Sequence, residues 1–420
     1  MSSKNINKCI VDNKSKLTEI FDFGEMHPTG IFKKNNLNKV KLKLMFSKKY
    51  NFGQISKSLD PKLMFDNYYY RSGTTNSMRK HFLSLIKIIK KKSNYTKKIS
   101  VLDIGCNDGT FLNSISNSFD CSKIIGLDPS RAIYDAKKEY KKFEFIRDFF
   151  PSKKLFEKKN YDKFNLITCT SVFYDFYRPI AALKKINALL HDDGIFLCEV
   201  NYFKDLIQKC NFDMISHEHL SFYSLRSFIH CCNNAGLQVV DAIKNNMNGG
   251  NIVFICKLKN KKNNVKNVKK LLKQEDSFFK NKNWKKKFIS DIKNTKKNII
   301  NHLKNLKKKN KKIAIYGAST RGDTVLQLFS EIQGYMELAI DKMKDKHGLY
   351  MPGTKIKIYH ESKIPTKINS YFVLPYQFLK EFLKKEINFI KNGGEIFTYR
   401  PDFIVVNKSN YNKILKKTIY

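Results

Sequence analysis

The sequence predicts an α/β protein built on doubly wound parallel sheets, and three observations lead to that prediction. First, the stretch from Val101 to Leu112 has an apolar run, then two glycines four residues apart, then a helix-compatible segment. Second, strand-like segments alternate with helical patterns from residue 99 to about residue 256. Third, the order strand, glycine turn, helix returns at residues 313–324. Such alternation is typical of a parallel sheet with helices on both faces.

The first glycine turn has the features of a nucleoside-binding site. Gly105 and Gly109 let the backbone turn sharply and let a ligand approach its N–H groups, which a β-carbon would obstruct. The next predicted strand, residues 123–127, leads into Asp128, whose carboxylate can accept hydrogen bonds from both hydroxyls of a ribose. The spacing is not the three-glycine dinucleotide fingerprint. A purely structural turn in an α/β domain is the alternative.

Three further strands are predicted in the same unit, at residues 143–148, 164–170 and 195–200. A helix is predicted through residues 181–189, and residues 191–194 are predicted to turn into the last strand. Asp148 and Phe149 lie at the exit of the third strand, where they could meet the base of a bound nucleoside. Ligands of such sheets bind beyond the carboxyl ends of the strands, so these residues share one edge with the glycine turn.

A short run after this pattern concentrates groups that can transfer protons. In an extended segment His217 and His219 would point one way and Glu218 the other. A histidine suits proton removal near neutral pH, and a neighbouring carboxylate can raise its basicity and fix its tautomer. A structural pair of hydrogen-bonded histidines is the first alternative. A metal site is the second, although the sequence offers no third ligand.

Residues 1–75 are interpreted as a separate small module with poor periodicity. Cys9 and Asp12 have the spacing of a C-x-x-C pair, and Ser47 with Tyr50 has the frame of a second pair. Zinc needs four thiolate or imidazole ligands, and only Cys9 of these four could serve. We therefore expect no structural zinc, with His27 the only other nearby candidate.

A tyrosine cluster joins this module to the following helix. Tyr68, Tyr69 and Tyr70 precede a segment whose apolar residues are spaced as in a helix from about residue 76. One interpretation packs these rings against the next domain, and the other sends a phenol into an active site.

The C-terminal half divides into a connector and a second α/β unit. Residues 257–312 are rich in lysine and asparagine, but apolar residues at three- and four-residue steps predict an amphipathic helix. From residue 313 to residue 420 we expect a second nucleotide-binding unit, with phosphates at the start of its first helix and Asp341 near a ribose. A structural strand-to-helix turn is the alternative.

Composition bounds the class of protein. With 420 residues, 42% hydrophobic and 13% aromatic, the chain should form two or three globular domains. No apolar run approaches the roughly 20 residues that cross a bilayer, and no hydrophobic leader follows Met1, so we expect a cytoplasmic protein away from membranes. Nine cysteines, an odd number, do not form a disulfide framework. The charge of +43 is spread along the chain, which favours compositional bias over a nucleic-acid face.

Beyond these patterns, the chain resembles a known family. The segment from Asp103 to Gly109, with Asp128, looks like the first motifs of class I S-adenosylmethionine-dependent methyltransferases. The whole chain resembles the sugar C-methyltransferases, which add a methyl group to a ring carbon of nucleotide-linked keto-deoxysugars. That similarity rests on motifs at residues 67–73, 103–109, 199–203, 217–220, 248–250, 316–318 and 351–353.

The resemblance implies a fold, a cofactor and a substrate. It implies an N-terminal zinc-binding-like module at 1–75, a Rossmann-like methyltransferase domain at 76–256 that binds S-adenosyl-L-methionine, a helical connector at 257–312 and a Rossmann-like C-methyltransferase domain at 313–420. The expected substrate is a nucleotide-linked keto-sugar, and we expect a monomer.

Roles for individual residues follow from the same resemblance. His219 is the expected base, with Glu218 and Tyr70 as the other catalytic residues. The expected cofactor contacts are Asp103, Gly105, Asn107, Asp108, Gly109, Asp128, Pro129, Asp148 and Phe149. The expected substrate contacts are Asn201, His217, Tyr223, Tyr316, Arg321, Asp323 and Asp341.

The chain departs from the family pattern at the expected reaction centre. Ser216 stands where a tyrosine is common, and Asp175 stands where a histidine is usual, so the acceptor or the methylated atom could differ. An RNA or DNA methyltransferase is one alternative, although enzymes that methylate base amines usually carry a Pro-Pro-aromatic loop, and residues 170–173 contain no proline. A nonenzymatic protein that keeps the cofactor fold is the other, and the intact glycine turn with His219 argues against it.

Overall fold

The computed structural model describes residues 3–157, 163–259 and 265–416, and it confirms the predicted α/β class with two Rossmann-like sheets. Residues 260–264, which belong to the predicted connector, lie outside the described residues, as do residues 158–162 and both chain ends.

The N-terminal region is a small antiparallel β structure followed by two helices. Its third strand alternates buried Val40, Leu42 and Leu44 with lysines, which is the period of a half-buried strand and corrects the poor periodicity expected there. The elements are β1 (Ser3–Asn5), β2 (Thr18–Met26), β3 (Val40–Ser47), β4 (Phe52–Ile55), β5 (Lys57–Leu59), α1 (Pro61–Phe65) and α2 (Asn76–Lys92).

The middle of the chain forms a seven-stranded sheet. Its elements are β6 (Ile99–Ile104), α3 (Thr110–Ser116), β7 (Cys121–Leu127), α4 (Ala132–Glu139), β8 (Glu144–Ile146), α5 (Lys153–Glu157), β9 (Phe164–Thr170), α6 (Pro179–Leu189), β10 (Leu190–Asn201), α7 (Phe203–Gln208), β11 (Ser221–Phe222), α8 (Leu225–Asn233), β12 (Leu237–Asn245) and β13 (Asn251–Leu258). The strand order is β12-β13-β10-β9-β6-β7-β8; β13 runs antiparallel to both of its neighbours, β12 and β10, and the remaining neighbours are parallel. The ligand edge is therefore formed where β6, β7, β8, β9 and β10 end.

One short strand connects this region to the N-terminal sheet. Strand β11 pairs antiparallel with β4, opposing Ser221 to Gln54 and Phe222 to Gly53, and completes a four-stranded sheet of order β11-β4-β3-β2. The backbone N–H of Ile55 also donates to the Leu220 carbonyl over 3.1 Å. The residues that follow His219 thus belong to the N-terminal sheet.

Two helices lead into a second parallel sheet. The spaced apolar residues of the connector fall in one long helix, α10, where Phe288, Ile292, Ile299 and Leu303 are buried. The elements are α9 (Lys266–Lys280), α10 (Trp284–Lys308), β14 (Ile313–Tyr316), α11 (Thr320–Leu328), β15 (Met336–Ile340), β16 (Ile358–Tyr359), β17 (Ser370–Val373), α12 (Leu379–Lys385), α13 (Ile387–Lys391), β18 (Glu395–Thr398), β19 (Ile404–Val406) and α14 (Tyr411–Lys416). The order is β16-β15-β14-β17-β18-β19, parallel except for β19.

One buried apolar cluster includes residues from all three parts of the chain. The rings of Phe212 and Phe329, from the middle and C-terminal parts, lie 5.6 Å apart, and Phe46 and Phe203, from the N-terminal and middle parts, lie 6.0 Å apart. Within the described ranges no helix combines the length and the apolar character needed to cross a bilayer.

Candidate active site

A cavity of about 1230 Å³ lies where the three parts of the chain meet. Its walls include the glycine turn after β6, the tyrosine segment before α2, the residues after β9, the His-Glu-His run and the turn after β14. Of the expected site residues it is lined by Tyr70, Asp103, Gly105, Asn107, Asp128, Pro129, Phe149, Glu218, His219, Tyr316, Arg321 and Asp341. Most of the predicted cofactor contacts are therefore brought together.

The turn after β6 requires glycine for two reasons. Gly105 has φ +77°, in the left-handed region that disfavours other residues. A β-carbon added there would lie 2.2 Å from Cγ2 of Val172, so the two turns cannot pack with a larger residue. The close packing brings the ends of β6 and β9 together beside the cavity.

Asp128 sits at the end of β7, as the sequence predicted. One carboxylate oxygen accepts the backbone N–H of Asn107 over 2.9 Å, and the other accepts the N–H and the hydroxyl of Ser130 over 2.8 and 2.5 Å. Burial raises the pKa of Asp128, while the Ser130 and Asn107 donors oppose the rise. The oxygen bonded to Asn107 retains a further lone pair, so this fixed carboxylate can accept a hydroxyl of a ribose.

Asp103 is the second acid at this edge. It is 1% exposed, and its Oδ1 accepts the hydroxyl of Thr168 over 2.7 Å. Burial raises the pKa of Asp103 to about 7, although the hydrogen bond from Thr168 acts to lower it. A cationic ligand beside it would favour the charged form. The two acids and the open cavity beside them fit a ribose and a cationic cofactor such as S-adenosylmethionine.

Three expected cofactor residues do not line the cavity. They stabilise the neighbouring turns instead. Asp108 accepts the N–H of Gly73 over 2.8 Å and the Thr110 hydroxyl over 2.7 Å, so it ties the turn to the tyrosine segment. Gly109, at φ +75°, begins α3 behind the turn. Asp148 accepts the N–H of Phe149 and the hydroxyl of Ser152, which leaves its carboxylate turned into its own loop.

His219 is held with one ring nitrogen committed. Its Nδ1 lies 2.8 Å from the carbonyl oxygen of Met214. Because a carbonyl can only accept, Nδ1 carries the hydrogen and Nε2 is left as the basic nitrogen. The ring of Tyr174 packs edge-on against the imidazole at 4.7 Å and fixes its plane.

Glu218 does not fix this tautomer, contrary to the expectation from sequence. Its Oε1 is 3.8 Å from Nε2 of His219, beyond hydrogen-bond distance, and accepts the hydroxyl of Tyr68 over 2.7 Å. The carboxylate can stabilise an imidazolium that forms at His219 through charge alone. Sequence reasoning noted the tyrosine cluster but not this role of Tyr68.

His217 does not join His219 on one face. The chain bends at residues 216–218 and is not extended, so the two-residue alternation behind that expectation fails. Nε2 of His217 donates to the carbonyl of Val40 over 3.1 Å, and burial lowers the pKa of this histidine to about 4. His217 is a neutral residue of the contact with the N-terminal sheet.

Tyr70 lines the cavity and is 40% exposed as a residue. Its carbonyl accepts the side-chain amide of Asn107 over 3.1 Å, and the Asn107 side-chain oxygen accepts the N–H of Ser72 over 3.0 Å. The glycine turn therefore positions the tyrosine segment beside the expected cofactor site.

Two predicted substrate residues are buried in the sheet region. Asn201 donates to the side-chain oxygen of Asn251 over 2.8 Å, between the paired strands β10 and β13. Tyr223 is fully buried among aromatic rings, with Phe52 and Phe173 each 5.2 Å away. Neither side chain lines the cavity, because both lie behind the strand ends.

Arg321 lines the cavity, but its guanidinium is largely engaged within the protein. Its Nε donates to Oδ2 of Asp213 over 2.8 Å, and its Nη2 donates to the hydroxyl of Tyr376 over 2.6 Å. Tyr399 donates to the same Asp213 oxygen over 2.9 Å. This network joins the middle and C-terminal parts, and no sequence pattern indicates that Asp213 is the partner of Arg321.

The other predicted C-terminal residues are also partnered. Tyr316 donates to Glu386 over 2.7 Å. Asp341 lies 3.3 Å from Nζ of Lys346, which also donates to the Ala318 carbonyl over 2.7 Å. Tyr316, Asp341 and Lys346 line the cavity.

Asp323 lies inside the contact between α11 and the N-terminal region. Its Oδ2 accepts the backbone N–H of Gly30 over 2.9 Å, and the residue is fully buried. Burial raises the pKa of Asp323 well above its usual range. It does not line the cavity, so the expected substrate contact is replaced by a contact between domains.

The four positions of the C-x-x-C frame lie together without a metal-ligand set. Asp12 accepts the hydroxyl of Tyr50 over 3.0 Å and closes its own loop by accepting from Ser15. Burial raises the pKa of Cys9, and its side chain interacts with Ser47. Among the residues that the structure describes, no three histidine, cysteine or carboxylate side chains converge as metal ligands would.

Comparison with known proteins gives separate family matches for the middle and the C-terminal parts of the chain. Residues 76–242 match the family described as a methyltransferase domain, and residues 246–401 match the C-methyltransferase C-terminal domain family. The C-methyltransferase NovU of Streptomyces niveus is 24% identical over 353 residues, which cover 83% of each chain.

Two other similarities are partial. A tRNA U34 carboxymethyltransferase of Campylobacter hominis is 28% identical over 128 residues, covering 29% of this chain and 42% of that protein. The solved S-adenosylmethionine-dependent methyltransferase of Clostridium acetobutylicum is 14% identical, with a TM-score of 0.35, and the match covers 44% of this chain and 93% of that one. From the two family matches, the NovU similarity and the acids beside the glycine turn, we conclude that the chain is an S-adenosylmethionine-dependent methyltransferase with a C-terminal region of the C-methyltransferase type.

Proposed function

We propose that the protein transfers a methyl group to a ring carbon adjacent to a ketone of a nucleotide-linked deoxysugar, by base-assisted enolate formation. The observation that carries the proposal is the His219 ring, whose Nδ1 is bound to the Met214 carbonyl so that Nε2 is the basic nitrogen in the cavity wall. The NovU similarity over most of the chain supports methylation at carbon.

The cavity residues suggest a division of labour. Asp128 would accept the ribose hydroxyls of the cofactor, and Asp103 would lie near its cationic part, because both acids line the cavity at the ends of β6 and β7. The bound cofactor supplies a methyl group on a sulfonium, which is an electrophile for a carbon nucleophile. Tyr316 and Lys346 line the cavity from the C-terminal sheet and would contact the nucleotide part of the substrate.

Residues of the His-Glu-His run would then remove the proton from the substrate. A hydrogen next to a ketone is acidic enough for an imidazole if the charge that develops on oxygen is stabilised. Nε2 of His219 would take that hydrogen, and the Glu218 carboxylate 3.8 Å away would favour the resulting imidazolium. Tyr70, which also lines the cavity, would orient the sugar ring.

We also propose the corresponding domain division. Residues 1–75 would support the His-Glu-His run through β11, residues 76–256 would bind the cofactor, residues 257–312 would connect the sheets, and residues 313–420 would hold the sugar carrier. The pairing of β11 with β4 and the shared cavity support this division.

The first experiment is incubation with S-adenosylmethionine and a panel of keto-sugars carried on different nucleotides, with product mass and carbon NMR as the readout. We expect His219→Gln to lower turnover by about 10²–10⁴-fold, the usual worth of a positioned base, while calorimetry shows unchanged cofactor binding. His191→Asn is the matched control, since His191 is exposed on the sheet far along the chain from this run.

Two results would overturn the proposal. Full turnover in His219→Gln would mean that another group is the base. Methyl transfer to tRNA, with no sugar of the panel modified, would favour the RNA alternative suggested by the partial similarity to a tRNA-modifying enzyme.

A further inference from the structure

The turn after β9 carries an acid that the mechanism above does not use. Asp175 ends a short helical turn, Phe173–Asp175, and its N–H donates to the Val172 carbonyl over 2.9 Å. The side chain lines the cavity, and its Oδ1 is buried with no hydrogen-bond partner in the described part of the chain. Buried polar atoms are nearly always partnered, so a ligand atom is the expected partner.

A second unpartnered group lies on the same wall. Ser216 is 1% exposed, lines the cavity, and has an Oγ without a partner among the described residues. Tyr174, the residue before Asp175, contacts the segment that follows Ser216, since its ring packs on His219 at 4.7 Å and its carbonyl accepts the Ser221 hydroxyl over 2.8 Å. The base and two unsatisfied polar side chains therefore share one region of the cavity.

We propose that Asp175, as the neutral carboxylic acid, donates a hydrogen bond to the acceptor's ketone oxygen while His219 removes the hydrogen from the neighbouring carbon, with Ser216 as a second contact to that oxygen. This inference rests on the proposed function. Asp175 and Ser216 would then be the residues that bind the ketone oxygen. Acceptors would have to place their carbonyl within reach of Asp175.

The surroundings keep Asp175 protonated. Burial raises its pKa well above the usual range, and the nearby Glu218 carboxylate raises it further. The Tyr68 hydroxyl bonds to Glu218 and not to Asp175, so it does not relieve this effect. The titratable or charged groups that interact with Asp175 or share its wall are Glu218 and His219 on the bent run, Tyr174 on the turn itself, Cys169 on β9, Tyr68 before α2 and the exposed Arg178 at the start of α6.

The step balances with these two residues. The carbon–hydrogen bond breaks and its proton goes to Nε2 of His219, while the ketone oxygen takes the negative charge of the enolate and accepts the hydrogen bond from Asp175. When the enolate carbon bonds to the methyl carbon of the bound cofactor, the methyl–sulfur bond breaks, the sulfur keeps its electron pair and the ketone forms again. Asp175 keeps its proton throughout, and His219 releases its proton to water.

The test measures formation of the enolate under conditions in which no methyl group can be transferred. The protein is mixed in D₂O with each nucleotide-linked keto-sugar of the panel, without cofactor, and loss of the proton signal next to the ketone is followed by NMR. We expect Asp175→Leu to slow this exchange by about 10²–10³-fold, as loss of one oxyanion donor does. Asp175→Asn keeps an N–H donor and should remain within about tenfold of the wild type, and exposed Asp192→Asn is the matched control.

The pH dependence separates a chemical role from a packing role. Since the acid form is the donor, wild-type exchange should fall as the pH rises through the raised pKa of Asp175, and Asp175→Asn should lack that fall. Isotope-edited infrared spectra of the wild type minus Asp175→Asn should show a protonated carboxyl band at neutral pH, with or without a ligand.

The outcomes are distinguishable. Absence of exchange in the wild type with every sugar would reject the proposed function and this inference together. Exchange in the wild type with equal rates in Asp175→Leu, or an ionised Asp175 at neutral pH, would reject only the role of Asp175. If Asp175→Leu fails to fold, the Asp175→Asn pH profile and the infrared band decide.

Discussion

The two parallel sheets carry the same strand, glycine turn and helix, but they use the acid that follows in different ways. In the middle sheet Asp128 is bonded only by neutral N–H and hydroxyl donors and lines the cavity. In the C-terminal sheet Asp341 has Lys346 at 3.3 Å, and the start of α11 is capped by the Ser319 hydroxyl. The comparison teaches that the motif alone does not define a nucleotide site. A lysine of the protein itself can pair with the acid, and a serine can cap the helix.

The largest expected effect comes from the network that holds these sheets together. Arg321→Met removes the cation that is hydrogen-bonded to the buried Asp213 carboxylate, leaving the Tyr399 hydroxyl and Arg400 at 3.9 Å, and should lower the free energy of unfolding by about 3–5 kcal/mol. Denaturant unfolding measures this loss. Arg226→Met is the matched control, because its pair with Asp276 is partly exposed and should cost at most about 1 kcal/mol. Equal losses in the two variants would show that the Arg321 network does not fix the sheets.

A smaller effect tests the two acids directly. Asp128→Asn should weaken S-adenosylmethionine binding by about 10- to 100-fold, since hydrogen bonds to a charged group are worth about 1.5–3 kcal/mol. Asp341→Asn should leave this affinity unchanged, because Asp341 is already paired with Lys346. Isothermal titration of both variants checks the contrast, and a comparable loss in Asp341→Asn would contradict it.

The smallest effect concerns the acid inside α11. Burial raises the folded-state pKa of Asp323, so the stability that its neutral form provides is complete below the unfolded-state pKa and is lost as the pH rises through the folded-state value. Asp323→Asn keeps an acceptor for Gly30 and cannot ionise. It should therefore gain about 1 kcal/mol over the wild type at pH 8 and little at pH 4, as measured by unfolding at both values.

Sequence reasoning succeeded where local patterns determine structure. The glycine turn at Gly105 and the acid at Asp128 follow from one short βαβ pattern, and both lie where predicted. The antiparallel direction of β13 was not predicted, because short apolar strands carry no sign of their direction.

It failed where distant partners determine the position of a side chain. Arg321 and Asp213 are 108 residues apart, so their bond was invisible in the sequence. His217 was misplaced because the alternation argument assumed an extended chain, whereas the run bends to reach the N-terminal sheet. The two-residue repeat of Val40, Leu42 and Leu44 was present in the sequence and was overlooked.

The pairing of β11 with β4 has a consequence for how this enzyme class can be recombined. His219 lies two residues before β11, and within the described residues the ladder partner of β11 is β4, in the N-terminal region. A chimera that exchanges the N-terminal region would therefore alter the register of the segment that carries His219. The N-terminal region and this segment have to be exchanged together.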